Sequence, residues 1–455
     1  MKIYLAHYII LLTLFFNFPA YSVSPASFEQ LLVANTTATG PGKAVVIVKN
    51  GEVIFSKARG MANIELGVPL STDSVFRIGS LTKQFTAAAI MLLQEQDKLS
   101  INDSISIYLP EFPTEGHNVT IAQLMSHTSG LANYTDNDYT WGSLIQEPTT
   151  LDEMLALFSK EPMHFPPGEA MRYSNTGYVL LGKIIEIVSK QSYQDFIVEH
   201  IFNKLAMKNS QYGGRQIITN RAAGYAQTTL GFENATSIDM SWPYASGSLV
   251  STVNDLAIWY HALANGKIIS SKSYQQMIAP FQLNNGQYSA YGFGLENSQI
   301  GKYKTISHVG AIQGYTTYAV YIPALEVYIA VAANYEGSHP ETLAVLLAAK
   351  ILAIETPNFQ RIEVSVEQLK TMMGTYTISP NSTRQLFIEN GTVYAKRDGG
   401  GKWEVIPMSM NSFYYKDSLT YFVIEKNKDK QLVMNFYSQL SDKPTQAIKE
   451  PTVNL

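Results

Sequence analysis

Two runs rich in apolar and β-branched residues, Lys43 to Lys49 and Val53 to Arg59, flank Asn50-Gly51. That dipeptide suits a tight hairpin turn, so the three pieces predict a β-hairpin. After Ser80 the apolar residues of Ala87 to Gln94 predict a helix. From about Leu99 to Met240 strand alternation gives way to helical and loop segments. Helices are expected at Ile121–Met125, Leu151–Ser159, Tyr178–Lys190 and Tyr193–Leu205, and again around Val253–Asn265. Strands are expected at Tyr291–Glu296, Thr305–Val309, Tyr315–Ile322 and Val327–Ala333, and a helix over Glu341–Ile354 closes the unit. This is an α+β pattern whose strands come from both ends, with a helical insertion between them. A cleft between an antiparallel sheet and a helical subdomain is the natural site.

The texture changes near Glu355-Thr356-Pro357-Asn358. Residues 356–363 are expected to be a linker. From Val364 to the end, short strands separated by turns predict a small all-β, barrel-like module: Gly374–Ile378, Gln385–Glu389, Thr392–Lys396, Trp403–Pro407, Ser412–Tyr415, Thr420–Ile424 and Leu432–Tyr437. At the other end, Lys2, the apolar stretch Tyr8 to Phe18 and the small residues of Ala20-Tyr21-Ser22 have the form of a secretory signal. The expectation is a signal peptide over residues 1–22, cleaved after Ser22, with the first domain over residues 23–355. The mature chain then has no transmembrane helix.

Composition narrows the function classes. The net charge is −4, only 15% of residues are charged, and no basic run suggests nucleic acid as a partner. With no cysteine there is no disulfide, no thiol for lipid attachment and no Cys-based metal site. The eight histidines are scattered, and neither His-Glu-x-x-His nor Gly-x-Ser-x-Gly occurs. No metal and no cofactor is expected. The expected partner is a small-molecule or peptide substrate, with cell-wall-derived material among the candidates.

Three short patterns carry chemistry. Ser80-Leu81-Thr82-Lys83 is the single Ser-x-x-Lys, and residues three apart share a helix face. A serine is a weak nucleophile until a base takes its proton, and a desolvated lysine can be that base. Tyr173-Ser174-Asn175 is the single Tyr-x-Asn. A tyrosine near cations can have its pKa lowered enough to act as a base, and the Asn175 amide can hydrogen-bond a substrate. His308-Val309-Gly310 is the single His-x-Gly. Gly310 allows close backbone approach, and the N–H of Ala311 could join that of Ser80 as an oxyanion hole. His127, within Ser126-His127-Thr128-Ser129-Gly130, is read as structural rather than as a base.

Together these segments resemble the family of class C β-lactamases, serine DD-peptidases, D-aminopeptidases and related esterases. The resemblance spans Phe28 to Glu355 and includes Phe76–Phe85, Leu124–Leu131, Phe165–Gly182, Ala245–Trp259, Tyr291–Gly294 and His308–Gly314. The tail after Val364 resembles the lipocalin-like module that often follows such domains. The resemblance implies a β-lactamase/transpeptidase-like fold and two-step acyl transfer. It makes Ser80 the acylated nucleophile, Lys83 the amine sharing its proton transfers, Tyr173 the general acid/base and Asn175 the substrate-orienting amide. His308 and Gly310 match the third motif on the strand edging the cleft. One departure matters. β-Lactamases of this family usually carry Lys-Thr-Gly there, a cation and a hydroxyl suited to a substrate carboxylate. The expectation is therefore an exported serine hydrolase of penicillin-binding-protein type acting on an ester or peptide. A β-lactamase is the alternative within the enzymes, and a catalytically inactive cell-envelope binding protein the alternative outside them.

Overall fold

The computed structural model describes residues 24–136, 142–379, 382–397, 400–416 and 418–450. The expected signal peptide and its cleavage point lie outside them. No helix of the described residues is long and apolar enough to cross a membrane.

A six-stranded antiparallel sheet organises the larger unit. Its strands are β1 (Lys43–Lys49), β2 (Glu52–Arg59), β3 (Glu296–Ile300), β4 (Tyr303–Ile312), β5 (Tyr315–Ile322) and β6 (Val327–Ala333), in the spatial order β3-β4-β5-β6-β1-β2. Strands from both ends of the unit therefore meet where β1 pairs with β6, from Lys43 opposite Ala333 to Lys49 opposite Val327. The β1–β2 turn is the expected Asn-Gly hairpin, with both residues at positive φ.

Helices cover both faces. On one side, α1 (Pro25–Ala34) and α5 (Pro340–Leu352) pack Phe28, Leu32, Leu343 and Leu347 against Val45, Ile47, Ile329 and Val331. On the other, α2 (Thr82–Glu95) and α4 (Val253–Ala264) pack against Ala44, Val46 and Ala330. Covering on both faces explains why β1 and β6 read as continuous apolar runs rather than alternating ones. The insertion supplies α3 (Asn175–Ser189), which packs on α2. Phe85 of α2 is fully buried and stacks on Trp259 of α4 at 4.1 Å between ring centroids.

Two strand expectations need correcting. Tyr291–Leu295 is not a strand; the edge strand begins at Glu296. Both glycines of that segment are pressed against backbone. A Cβ on Gly292 would lie 2.2 Å from the Met277 carbonyl, and one on Gly294, at φ +70°, would lie 2.6 Å from that of Lys83. The second correction is in the tail, where eight strands rather than seven close a barrel: β7 (Gly374–Ser379), β8 (Ser382–Glu389), β9 (Thr392–Arg397), β10 (Lys402–Pro407), β11 (Ser412–Tyr415), β12 (Tyr421–Lys426), β13 (Leu432–Tyr437) and β14 (Thr445–Lys449). β14 joins β13 to β7 and leaves no open edge.

Truncation of Phe85 to alanine should destabilise the larger unit by about 3–5 kcal/mol, read from denaturant unfolding. A loss under about 1 kcal/mol would mean that the α2–α4 contact is not part of the cooperative core.

Candidate active site

Ser80 sits in a single tight turn, Gly79–Leu81, at the head of α2, so Lys83 lies one turn on and on the same face. Lys83 is completely buried. Its Nζ lies 3.2 Å from Ser80 Oγ, 2.7 Å from Asn175 Oδ1 and 2.9 Å from the Ser246 carbonyl oxygen. The Tyr173 and Tyr178 rings flank it at 4.7 and 5.3 Å. Burial drives the Lys83 pKa well below the ordinary lysine value, with no carboxylate among the causes to restore it. The three contacts fit a neutral amine. Asn175 Oδ1 and the Ser246 carbonyl only accept and take its two N–H groups, which leaves the lone pair for the Ser80 hydroxyl.

Tyr173 precedes α3, and Asn175 is the first residue of that helix. The Tyr173 pKa is raised rather than lowered. Burial dominates, and a hydrogen bond with Ser80 offsets only part of it. The expectation of a cation-lowered tyrosine is thus reversed, and Tyr173 is a neutral phenol beside the serine. Asn175 is engaged at both ends, accepting from Lys83 and donating from Nδ2 to Thr135 Oγ1 at 3.2 Å. The amide holds the lysine directly.

His308 does not line the cavity in front of Ser80. It is buried, with Nδ1 2.6 Å from the Val309 carbonyl oxygen and Nε2 2.6 Å from the Tyr291 hydroxyl. A carbonyl can only accept, so Nδ1 carries the proton and Nε2 accepts from Tyr291. Burial pushes the His308 pKa down to about 3, and a proton on Lys83 acts in the same direction. Gly310 holds strand β4 against the nucleophile turn. A Cβ there would lie 2.1 Å from the Ile78 carbonyl oxygen and 2.4 Å from Thr317 Oγ1, which itself donates to that carbonyl. Gly79, at φ +51°, likewise leaves room only for Ala311, whose N would lie 2.9 Å from an added Cβ. Strand β4 and the Ser80 turn therefore touch backbone to backbone.

His127, expected to be structural, is buried beside Tyr173. Its Nδ1 accepts from the Ser174 N–H at 3.1 Å, and its ring lies 4.2 Å from that of Tyr173. Two contributors escaped the sequence reading: the Ser246 carbonyl, which carries no side-chain signal, and Tyr291, which the expected strand disguised.

The cavity over Ser80 has a volume of about 360 Å³. Ile145, Ile238, Trp242 and Ile312 give it an apolar wall, Asn175 and Ala311 its polar floor. Glu336 also lines it, with Oε1 accepting from the Gly314 N–H at 2.8 Å.

The protein-family model described as Beta-lactamase matches residues 29–353. The chain belongs to the Beta-lactamase family. Among its relatives, "Penicillin-binding protein 4*" of Bacillus subtilis (strain 168) is 29% identical over 399 residues, covering 82% of this chain and 87% of that protein. A "D-aminopeptidase" of Gluconobacter oxydans (strain 621H) is 24% identical over 364 residues, covering 77% of this chain and 66% of the relative. Among solved structures, the octameric penicillin-binding protein homologue from Pyrococcus abyssi superposes with a TM-score of 0.66 at 26% identity, covering 93% of this chain and 99% of that one. Family membership makes a serine hydrolase of the β-lactamase and penicillin-binding-protein group, and the superposition spans the barrel as well as the larger unit.

Two outcomes follow from this geometry. Gly310→Ala should cost about 1–3 kcal/mol, because the added methyl meets backbone that cannot yield; an unchanged unfolding midpoint would contradict the close packing of β4 on the Ser80 turn. The second concerns Lys83. Between its lowered folded pKa and the unfolded value near 10.4, the unfolded chain binds one proton more than the folded chain, so the Lys83 contribution to stability rises with pH. Wild type should accordingly gain on Lys83→Met by up to about 1.4 kcal/mol per pH unit in that window. A stability difference that stays flat from pH 7 to 10 would mean that the lysine is buried with its charge.

Proposed function

We propose that this protein is an exported serine hydrolase that cleaves an ester or amide bond of a small-molecule or peptide substrate through an acyl-enzyme on Ser80. The observation that carries the reading is the buried Lys83, whose only acceptor capacity points at Ser80 Oγ. Ser80 Oγ attacks the substrate carbonyl as its proton passes to Lys83 Nζ. The tetrahedral oxygen is received by the N–H groups of Ser80 and Ala311. Tyr173, a neutral phenol, passes the proton from Lys83 to the leaving group, and a water molecule then releases the acid by the reverse relay. Asn175 fixes Lys83. His308 and Gly310 act on substrate only through strand β4, which they hold in place. Residues 1–22 serve as the export signal, and the substrate class extends to cell-wall-derived peptides.

Two features favour the ester and peptide branch over β-lactam hydrolysis. The position where a cation would meet a β-lactam carboxylate holds a buried, neutral His308, and Val309 adds no hydroxyl. Glu336 on the cavity wall is an acidic side chain that disfavours a second carboxylate and suits a substrate amine. The intact Ser80–Lys83–Asn175 contacts beneath an open cavity speak against an inactive binding protein.

The test incubates mature protein and Ser80→Ala with short acyl p-nitrophenyl esters, a D-alanyl anilide and benzylpenicillin, following turnover and intact mass. Turnover of an ester or anilide, reduced by at least about a thousandfold in the variant, is expected. Benzylpenicillin should at most leave a slowly cleared adduct on wild type. Rapid ring opening lost in Ser80→Ala would move the assignment to a β-lactamase. The absence of turnover and adduct alike would leave the inactive binding protein.

A further inference from the structure

The barrel contains a pair of cations that the chemistry at Ser80 does not use. Arg384 of β8 and Arg397 of β9 are directly opposite one another in the antiparallel ladder. Both lie on the inward side of their strands at the mouth of the barrel, Arg384 partly buried and Arg397 exposed, and they border a cavity together with Met434 and Ala447 of the barrel core. Like charges facing each other across neighbouring strands are destabilising. Arg384, partly drawn out of water, also needs a counter-charge or further acceptors. Among the described residues neither arginine has a carboxylate partner. Arg384 donates from Nη1 to the Tyr415 hydroxyl at 3.1 Å, and its guanidinium carbon lies 3.8 Å from the Phe436 ring centroid. Among the described residues Arg397 reaches only Ser382 Oγ, at the limit of 3.5 Å. Among the described residues most of the ten N–H donors of the two side chains thus have no protein acceptor.

There is space for what is missing. One cavity of about 190 Å³ runs into the end of the barrel, walled by Ile378, Met434 and Phe436. A second, of about 370 Å³, opens from the same two arginines toward His339 and Glu341 at the start of α5, with Trp403 and Tyr415 on its wall. Glu341, the acid on that side, is paired with His339 at 3.0 Å, and Lys416 on the rim is paired with Glu404 at 3.3 Å. Trp403 is nearly two-thirds exposed, an aromatic face left open at the mouth. Paired guanidinium groups match the two oxygens of a carboxylate, and the aromatic and aliphatic walls match an apolar body rather than a bare inorganic anion.

We propose that the mouth of the barrel is a binding site for an organic carboxylate with an apolar body, its oxygens between Arg384 and Arg397 and its body against Phe436 and Trp403. The class includes free short-chain acids and the C-terminal carboxylate of a peptide. This site is separate from the Ser80 cavity and does not depend on the reaction assigned there.

The test is calorimetric titration of the full chain carrying Ser80→Ala, which removes turnover. Hexanoate represents a free acid and N-acetyl-phenylalanyl-alanine a peptide C-terminus; hexanamide and inorganic phosphate are the controls. Saturable binding of at least one carboxylate is expected, at least tenfold tighter than either control. Arg384→Met and Arg397→Gln should each weaken it at least tenfold. Arg384→Met relieves the facing charges and should melt no lower than its parent, which separates loss of the site from loss of the barrel; should it fail to fold, Arg397→Gln alone decides. Whichever carboxylate binds more tightly identifies the source. Equal binding of hexanamide or phosphate, binding that survives both substitutions, or no carboxylate binding at all would overturn the proposal.

Discussion

The completely buried amine of Lys83 is the constraint around which the active region is arranged. Among the described residues no carboxylate is there to pair with an ammonium, and the neutral amine is met instead by oxygens drawn from three separate stretches of chain. Ser80 comes from the turn before α2, Asn175 from the first residue of α3, and the Ser246 carbonyl from the short helix Tyr244–Gly247. These oxygens are fixed by further contacts. Asn175 is held by Asn133 and Thr135, and the Ser80 turn is pressed on β4 through Gly79 and Gly310. The same amine governs its neighbours. Burial comes first in holding both His127 and His308 well below the ordinary imidazole pKa, and a proton on Lys83 acts in the same direction. Two basic groups that a solvent-exposed site would leave half-charged are thereby neutral, and Lys83 is the one base facing the serine.

How much of this was legible in the sequence depends on how local each interaction is. Ser80 and Lys83 were readable because their meeting needs only one helical turn. The hairpin at Asn50-Gly51 was readable because its turn type dictates its residues. The sign of the Tyr173 shift was not. Proximity to a cation lowers a phenol pKa and burial raises it, and only packing reveals which is larger. Ser246 acts through its backbone, which every residue type shares. The stretch Tyr291–Leu295 has strand-like composition, yet its glycines are there to let backbone approach Met277 and Lys83, a tertiary demand that no local pattern encodes. Strand β14 escaped for the opposite reason. Thr445 and Gln446 are exposed and polar, and only Ala447 is buried, so the strand exists because the barrel needs its last edge paired.

The wall of the catalytic cavity and the mouth of the barrel share one short piece of chain. Glu336 and Gly337 line the cavity over Ser80, while His339 and Glu341 border the arginine pair of the barrel. Asn334, just before, anchors this piece, accepting from the Gly42 N–H and donating to the Met61 and Ala223 carbonyls. Beyond it the chain enters α5, which is packed on the sheet through Leu343 and Leu347. The segment is therefore fixed at both ends and contacts a different binding space on each side. The barrel also docks on the edge strand β3, through Ser298 with Gln439 at 3.0 Å and through Ile300 packed with Leu440. Among the described residues none of the barrel's side chains lines the cavity over Ser80, so any effect of the barrel on that cavity has to pass through this segment or through strand β3.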